Sequence, residues 1–180
     1  MKRSQLLAAR KRAVQIMADA GLVLSPAEAE NIEVADMGLN QLEAEGLELV
    51  TYINTPRYCA KALVLFPGQT CPEHRHPPFE DNPGKEETFR CLHGLVWLYV
   101  EGDPAKPVQA QLPSGSSPYY TVFKEIVLQP GEQYTIACNT LHWFQGGPEG
   151  AVVSEFSSSS RDEFDIFTDP RIRRATSMED

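Results

Sequence analysis

Residues 68–76 read Gly-Gln-Thr-Cys-Pro-Glu-His-Arg-His, and residues 87–94 read Glu-Thr-Phe-Arg-Cys-Leu-His-Gly. In an extended chain residues i and i+2 project to one face, so His74 and His76 point the same way. A third histidine, His142, follows Gly131 at the end of a later strand-like stretch. Three of the chain's four histidines fall in this pattern, with Glu87 between them and only His93 outside it. Three imidazoles and a carboxylate suit Mn, Fe, Co, Ni or Zn, and spacing does not choose among them. On an octahedral ion this set leaves two adjacent positions, room for a bidentate substrate.

Short apolar or alternating runs surround these residues at 47–53, 60–66, 95–100, 119–128, 133–137 and 151–156. Gly and Pro punctuate them, at Pro67-Gly68, Pro113-Ser114-Gly115, Pro130-Gly131 and Gly146-Gly147-Pro148. Many short strands between such turns predict an all-β sandwich or barrel. No helical segment alternates with the strands, which disfavours a βαβ sheet. Before them, Leu6, Ala9, Ala13, Ile16, Met17 and Ala20 recur at helical spacing over residues 2–20. Gly21 is a natural stop. Ser25-Pro26-Ala27-Glu28 reads as a capping box opening a short second helix. Both helices are expected outside the barrel or across a subunit contact. Residues 1–45 are thus expected as a helical extension of one domain, and 46–180 as the barrel with a C-terminal segment.

The 180 residues carry 25 acidic and 16 basic side chains, a net charge of −9, which argues against a nucleic-acid partner. No apolar stretch approaches the roughly 20 residues that span a bilayer. Charges at Arg10, Lys11, Arg12 and Asp19 break any secretory signal core. The four cysteines, Cys59, Cys71, Cys91 and Cys138, lack C-x-x-C spacing and read as free thiols of a reducing cytoplasm. Cys71, three residues before His74, is expected as a buried small hydrophobe.

The spacing resembles the two motifs of the cupins, G-x5-H-x-H with E-x6-G, and then G-x5-P-x-G-x2-H. The resemblance implies a single jelly-roll barrel. Between His76 and Glu87 lie ten residues, a longer gap than usual. It offers Glu80, Glu86 and Glu87 as ligands, and the six-residue step to Gly94 selects Glu87. In the second motif Ala137 and Asn139 stand where Pro and Gly are usual. Asn tolerates the left-handed conformation, so the turn survives.

Two further stretches narrow the chemistry. Lys85 precedes Glu87 by two residues and is expected to face the same cavity. Glu155 interrupts an apolar strand, a costly placement unless the charge has a partner or a task. With PGQTCPEHRHP, GKEETFRCLHG, PGEQYTIACNTLHWFQGGPEGAVVSEFS and SRDEFDIFTDPRI, these stretches resemble the D-lyxose isomerase family over residues 60–174.

That resemblance implies a Mn-dependent homodimer. Its substrate would be a small free sugar, with D-lyxose and D-xylulose, or D-mannose and D-fructose, interconverted through a metal-chelated enediol. His74, His76, Glu87 and His142 would hold the metal, Glu155 would move a proton between C1 and C2, and Lys85 would serve the oxygens. Trp143, Phe164, Asp162 and Arg171 are candidates for contact with the sugar. Core packing is an equal reading of Trp143, Phe164 and Phe79. A structural network with Arg161 and Arg171 is the other reading of Asp162, Glu163 and Asp165. Rival readings are a phosphosugar isomerase, using Ser157–Ser160 and Arg161 for the phosphate, a cupin dioxygenase with the same four ligands, and a binding module without catalysis.

Overall fold

The computed structural model describes residues 1–178. The first helix, α1 (Arg3–Asp19), ends at Gly21, whose φ of 80° suits glycine. The short α2 (Pro26–Glu30) is held by the expected box: Ser25 Oγ accepts from Glu28 N at 3.2 Å, and Glu28 Oε2 accepts from Ser25 N at 2.7 Å. The strands are β1 (Glu33–Ala35), β2 (Leu47–Asn54), β3 (Cys59–Leu65), β4 (Thr70–Arg75), β5 (Glu87–Val100), β6 (Lys124–Leu128), β7 (Gln133–Ile136), β8 (His142–Ser157) and β9 (Ile166–Phe167). They form one curled sheet of antiparallel pairs, with β1-β2-β3-β8-β4-β9 along one path and β5 pairing β6, β7 and β8. This is the expected all-β jelly-roll barrel. No helix among the described residues is long and apolar enough to cross a membrane.

The fold departs from the sequence expectation in three places. Residues 33–35 contribute a strand that pairs with β2, so the N-terminal segment is part of the sheet. The strand expected at 95–100 begins at Glu87, and the one expected at 151–156 begins at His142. The stretch 119–128 divides into a 3-10 turn at Ser117–Tyr119 and β6.

The long strands β5 and β8 pair from Glu87↔Ser157 to Val100↔His142, with register shifts at 91–93 and 94–96. Those shifts fall at Gly94, where φ is 73° and an added Cβ would lie 2.1 Å from the Gly150 carbonyl oxygen. The glycine that closes the E-x6-G motif is thus demanded by a backbone crossing at the bend of the barrel.

One core fills the barrel, with Leu49, Leu63, Leu65, Phe89, Leu98 and Phe144 among its members. A second lies outside the sheet, where Ala9, Ala13 and Met17 of α1 cover Val50, Ala62, Val64 and Val152. Alternation along β3 explains both: Ala62 and Val64 face the helix, while Lys61, Leu63 and Leu65 face inward.

Glu48 sits on the helix-facing side of β2, fully buried, in register with Val34 and Val64. Its Oε1 lies 3.4 Å from Gln69 Nε2, and its Oε2 has no hydrogen-bond partner among the described residues. Burial pushes its carboxyl up to about 8 from the usual 4.5, against the weak Gln69 contact. Between those values the folded chain keeps a proton that the unfolded chain releases, so stability falls as pH rises through this window. Glu48→Gln is expected to remove that slope. Its thermal midpoint should exceed the unaltered protein's at pH 8, and the gain should shrink towards pH 5. Parallel melting curves from pH 5 to 8 for both proteins would contradict this account.

Candidate active site

β4 carries His74, its C-terminal exit carries His76, β5 opens with Glu87 and β8 opens with His142. The strand holding His74 is pinned by its neighbour Glu73, which accepts from Thr121 N at 2.6 Å, Val122 N at 3.0 Å and Thr168 Oγ1 at 2.6 Å. The ligand atoms of the three histidines lie within 4.8 Å of one another, and all three side chains are buried.

Each imidazole is oriented by its Nδ1. That of His74 lies 2.7 Å from Pro72 O, that of His142 2.9 Å from Thr140 O, and that of His76 2.5 Å from Asp165 Oδ1. Carbonyl and carboxylate oxygens only accept, so these contacts place a proton on each Nδ1 and leave Nε2 of His74 and His142 as the lone-pair atom, while His76 meets a carboxylate at Nε2 as well. Glu87 Oε1 then stands 3.0 Å from His142 Nε2 and 3.2 Å from His76 Nε2. The His142 atom is fully buried without a hydrogen-bond partner among the described residues. A lone pair facing a carboxylate oxygen is repelled unless a cation lies between them, so the residues present fit a divalent metal.

The charges support this reading. Burial and the two neighbouring imidazoles hold His74 well below its usual value, the neutral state a ligand needs. For Glu87, burial is outweighed by Lys85 and His76, which keep the carboxyl well below the usual range. Burial lowers His76, but the Glu87 charge and the Asp165 bond together push it up to about 9. A metal must therefore displace a proton from His76.

A wall of alternating charge adjoins the ligands. Lys85 Nζ lies 2.7 Å from Glu87 Oε2 and 2.6 Å from Glu155 Oε1. Lys61 Nζ, on β3, lies 2.6 Å from Asp162 Oδ2 and 2.9 Å from Ser160 Oγ. Burial opposes the charge on Lys85, yet Glu87 and Glu155 keep it well above 10.5, so it is an ammonium. Burial likewise opposes the charge on Asp162, and Lys85 and Lys61 outweigh it to hold the carboxyl below the usual range. These groups line a cavity of about 30 Å³ with His74, His76 and Glu87. A second cavity, of about 190 Å³, shares His76, Lys85 and Asp165 with it and is lined by Phe79, Arg161 and Phe164.

No family model matches the chain. It is 63% identical over 179 residues to the D-lyxose ketol-isomerase of Cohnella laeviribosi, covering 99% of this chain and 98% of the relative. It is 59% identical over 180 residues to the D-lyxose/D-mannose isomerase of Thermosediminibacter oceani, covering 100% and 99%. The chain belongs to the D-lyxose ketol-isomerase family. In this isomerase family member the fold also matches more distant structures. The L-ribose isomerase of Cellulomonas parahominis superposes with a TM-score of 0.84 at 18% identity, covering 99% of this chain and 98% of that one. The L-ribose isomerase of Acinetobacter sp. DL28, in complex with L-ribose, gives 0.84 at 16% identity, with the same coverage.

The structure brings His74, His76, Glu87, His142, Lys85, Glu155 and Asp162 together, and leaves other candidates aside. Trp143 is fully buried elsewhere, stacked on Tyr99 at 4.0 Å between centroids and donating to Val122 O at 2.7 Å. It follows His142 in an extended strand, so it points to the opposite face and is a core residue. Arg171 is held by Asp169 at 2.6 Å and lies over Tyr119, away from the metal cavity. Phe164 lines the second cavity and, with Phe79, sandwiches the Arg161 guanidinium, 4.1 and 3.6 Å from the two ring centroids. Cys71 reaches the metal cavity wall, but burial holds its thiol protonated. Lys61 and Arg174 were not expected at the site, and Ser160 was expected only as a phosphate contact; Asp165, read from the sequence as a sugar contact or part of a network with Arg161 and Arg171, instead orients His76.

Asp165 fixes the ring of a ligand without being one, and its loss should act on the metal. Asp165→Asn is expected to weaken Mn affinity about 10- to 100-fold, read as metal retained after dialysis against graded chelator. Unchanged retention would remove Asp165 from the site.

Proposed function

We propose that this protein is an aldose–ketose isomerase acting on free D-lyxose and D-mannose, giving D-xylulose and D-fructose. The observation that carries the reading is the Glu155–Lys85–Glu87 row beside the imidazoles: a carboxylate and an ammonium, 2.6 Å apart, next to a metal-ligand set. A bound divalent ion would act there as a Lewis acid towards two adjacent sugar oxygens. Glu155 takes the proton from C2 of the aldose and returns it to C1. Lys85, held as an ammonium, donates a proton to O1 and recovers one from O2, so that C1–OH and C2=O result and both side chains regain their starting state. Lys85 also orients Glu155, since the two share one short contact.

The relatives named for D-lyxose and D-mannose support this substrate class. Two of the residues expected for a phosphate are engaged otherwise: Ser160 Oγ accepts from Lys61 and donates to Asp162, and Arg161 lies between two rings. That favours a free sugar over a phosphosugar. Manganese as native ion and a homodimer are carried by the family resemblance, a cytoplasmic setting by the free thiols, and the ligand set accepts manganese.

The test is an anaerobic assay on a panel of aldoses, using metal-stripped protein re-supplied with Mn, Co, Ni, Fe or Zn. Lyxose and mannose should be converted without oxygen, and Glu155→Gln should lower kcat by about 10²- to 10⁴-fold. Oxygen uptake coupled to turnover, or conversion of mannose 6-phosphate with none of mannose, would sink the proposal.

A further inference from the structure

Lys61 has no part in the reaction as just described, yet it occupies a costly position. It lies in the otherwise apolar β3, is 3% exposed, and faces inward opposite Glu155 in the β3–β8 register. A lysine so buried needs compensation, and its ammonium finds it in Asp162 at 2.6 Å, Ser160 at 2.9 Å and Glu155 at 3.9 Å.

Around it three carboxylates share two ammoniums. Lys85 Nζ contacts Glu155 and Glu87 closely, and stands 3.8 Å from Asp162 Oδ1. Lys61 takes the other Asp162 oxygen. Arg174, which also lines the cavity, is 3.7 Å from Asp162 Oδ2 through Nη2, while its Nη1 is paired with Glu33. If Lys61 were neutral, Asp162 would be left with this shared guanidinium and with Lys85. In this desolvated setting a carboxylate 3.8 Å away would draw the flexible lysine stem towards it. Lys85 would then leave Glu155, the group it orients.

Resting on the isomerase reading above, we infer that Lys61 is a positioning residue. By neutralising Asp162 it reserves the Lys85 ammonium for Glu155 and Glu87. Its effect on turnover passes through Lys85, so it shows in kcat and depends on the charge of Asp162.

The test is a double-mutant cycle on the metal-loaded protein, with Lys61→Met, Asp162→Asn and the double variant assayed on lyxose or mannose. Melting curves and bound metal are recorded for each. Lys61→Met should lower kcat about 10- to 100-fold and change KM by less than about 3-fold, with metal content unaltered. In the Asp162→Asn background the same substitution should cost less than about 3-fold, because no carboxylate is left to divert Lys85. Lys61→Arg, still cationic, should stay within about 10-fold of the unaltered protein. Should Lys61→Met not fold, Lys61→Gln is run through the same cycle. An undiminished kcat in Lys61→Met, a change confined to KM, or an equal loss in both backgrounds would overturn the inference. An unaltered protein that isomerises no aldose would instead sink the function itself, and a flat cycle in an active enzyme sinks only the role of Lys61.

Discussion

Glu87 and His142 stand at opposite ends of the β5–β8 ladder, and yet their side chains meet at 3.0 Å. The fourteen residues of β5, laid straight, would hold the two ends roughly 40 Å apart. The contact exists because the ladder folds back on itself at Gly94 and Gly150, where backbone passes backbone with no space for a Cβ. The rest of the site depends on this closure. It brings β4 with its imidazole pair against the start of β8, through the His74↔His142 pairing, and sets Lys85 and Glu155 beside Glu87.

Closure also concentrates charge. Two imidazoles, four carboxylates and two ammoniums line one small cavity with His142 beside it, and each unpaired charge there would be heavily penalised. The geometry answers by alternation: Glu87, Lys85, Glu155 and then Lys61 against Asp162, with Asp165 outside His76. The His142 lone pair that faces Glu87 is left uncompensated by this alternation, and a divalent cation fits there. A bound metal would complete the barrel's own charge balance, and binding and folding would then share one set of contacts.

Much of this was legible from residues alone, and the reasons differ. Glu87 was readable because the distance to Gly94 reports a backbone crossing that only glycine permits. Glu155 was readable because a charge in an apolar strand is expensive. Lys61 presents the same signal in Cys59–Leu65 and went unread, since its partners Ser160 and Asp162 lie some hundred residues on and only the sheet brings them near. Trp143 misled for a local reason: adjacency to a ligand in sequence means opposition in a strand. Asp165 was visible as a carboxylate near the end of the chain. Its task was not, because β9 must first lie beside β4 to bring it to His76.

The long gap between His76 and Glu87 shows how an insertion becomes useful. Residues 77–84 leave the sheet and return through Gly84, where φ is 103° and a Cβ would meet His76 O at 2.5 Å. The loop must therefore close tightly against the exit of its own first ligand. That return delivers Lys85 into the cavity rather than to solvent, since the next strand starts only two residues later. On the other side of the loop Phe79 is held by Arg161 and stacked near Phe164, on the segment that also carries Asp162 and Asp165. A single insertion thus ties the cavity ammonium to the segment that supplies two of its carboxylates. His76, Lys85 and Glu87 are thereby fixed by the same piece of chain.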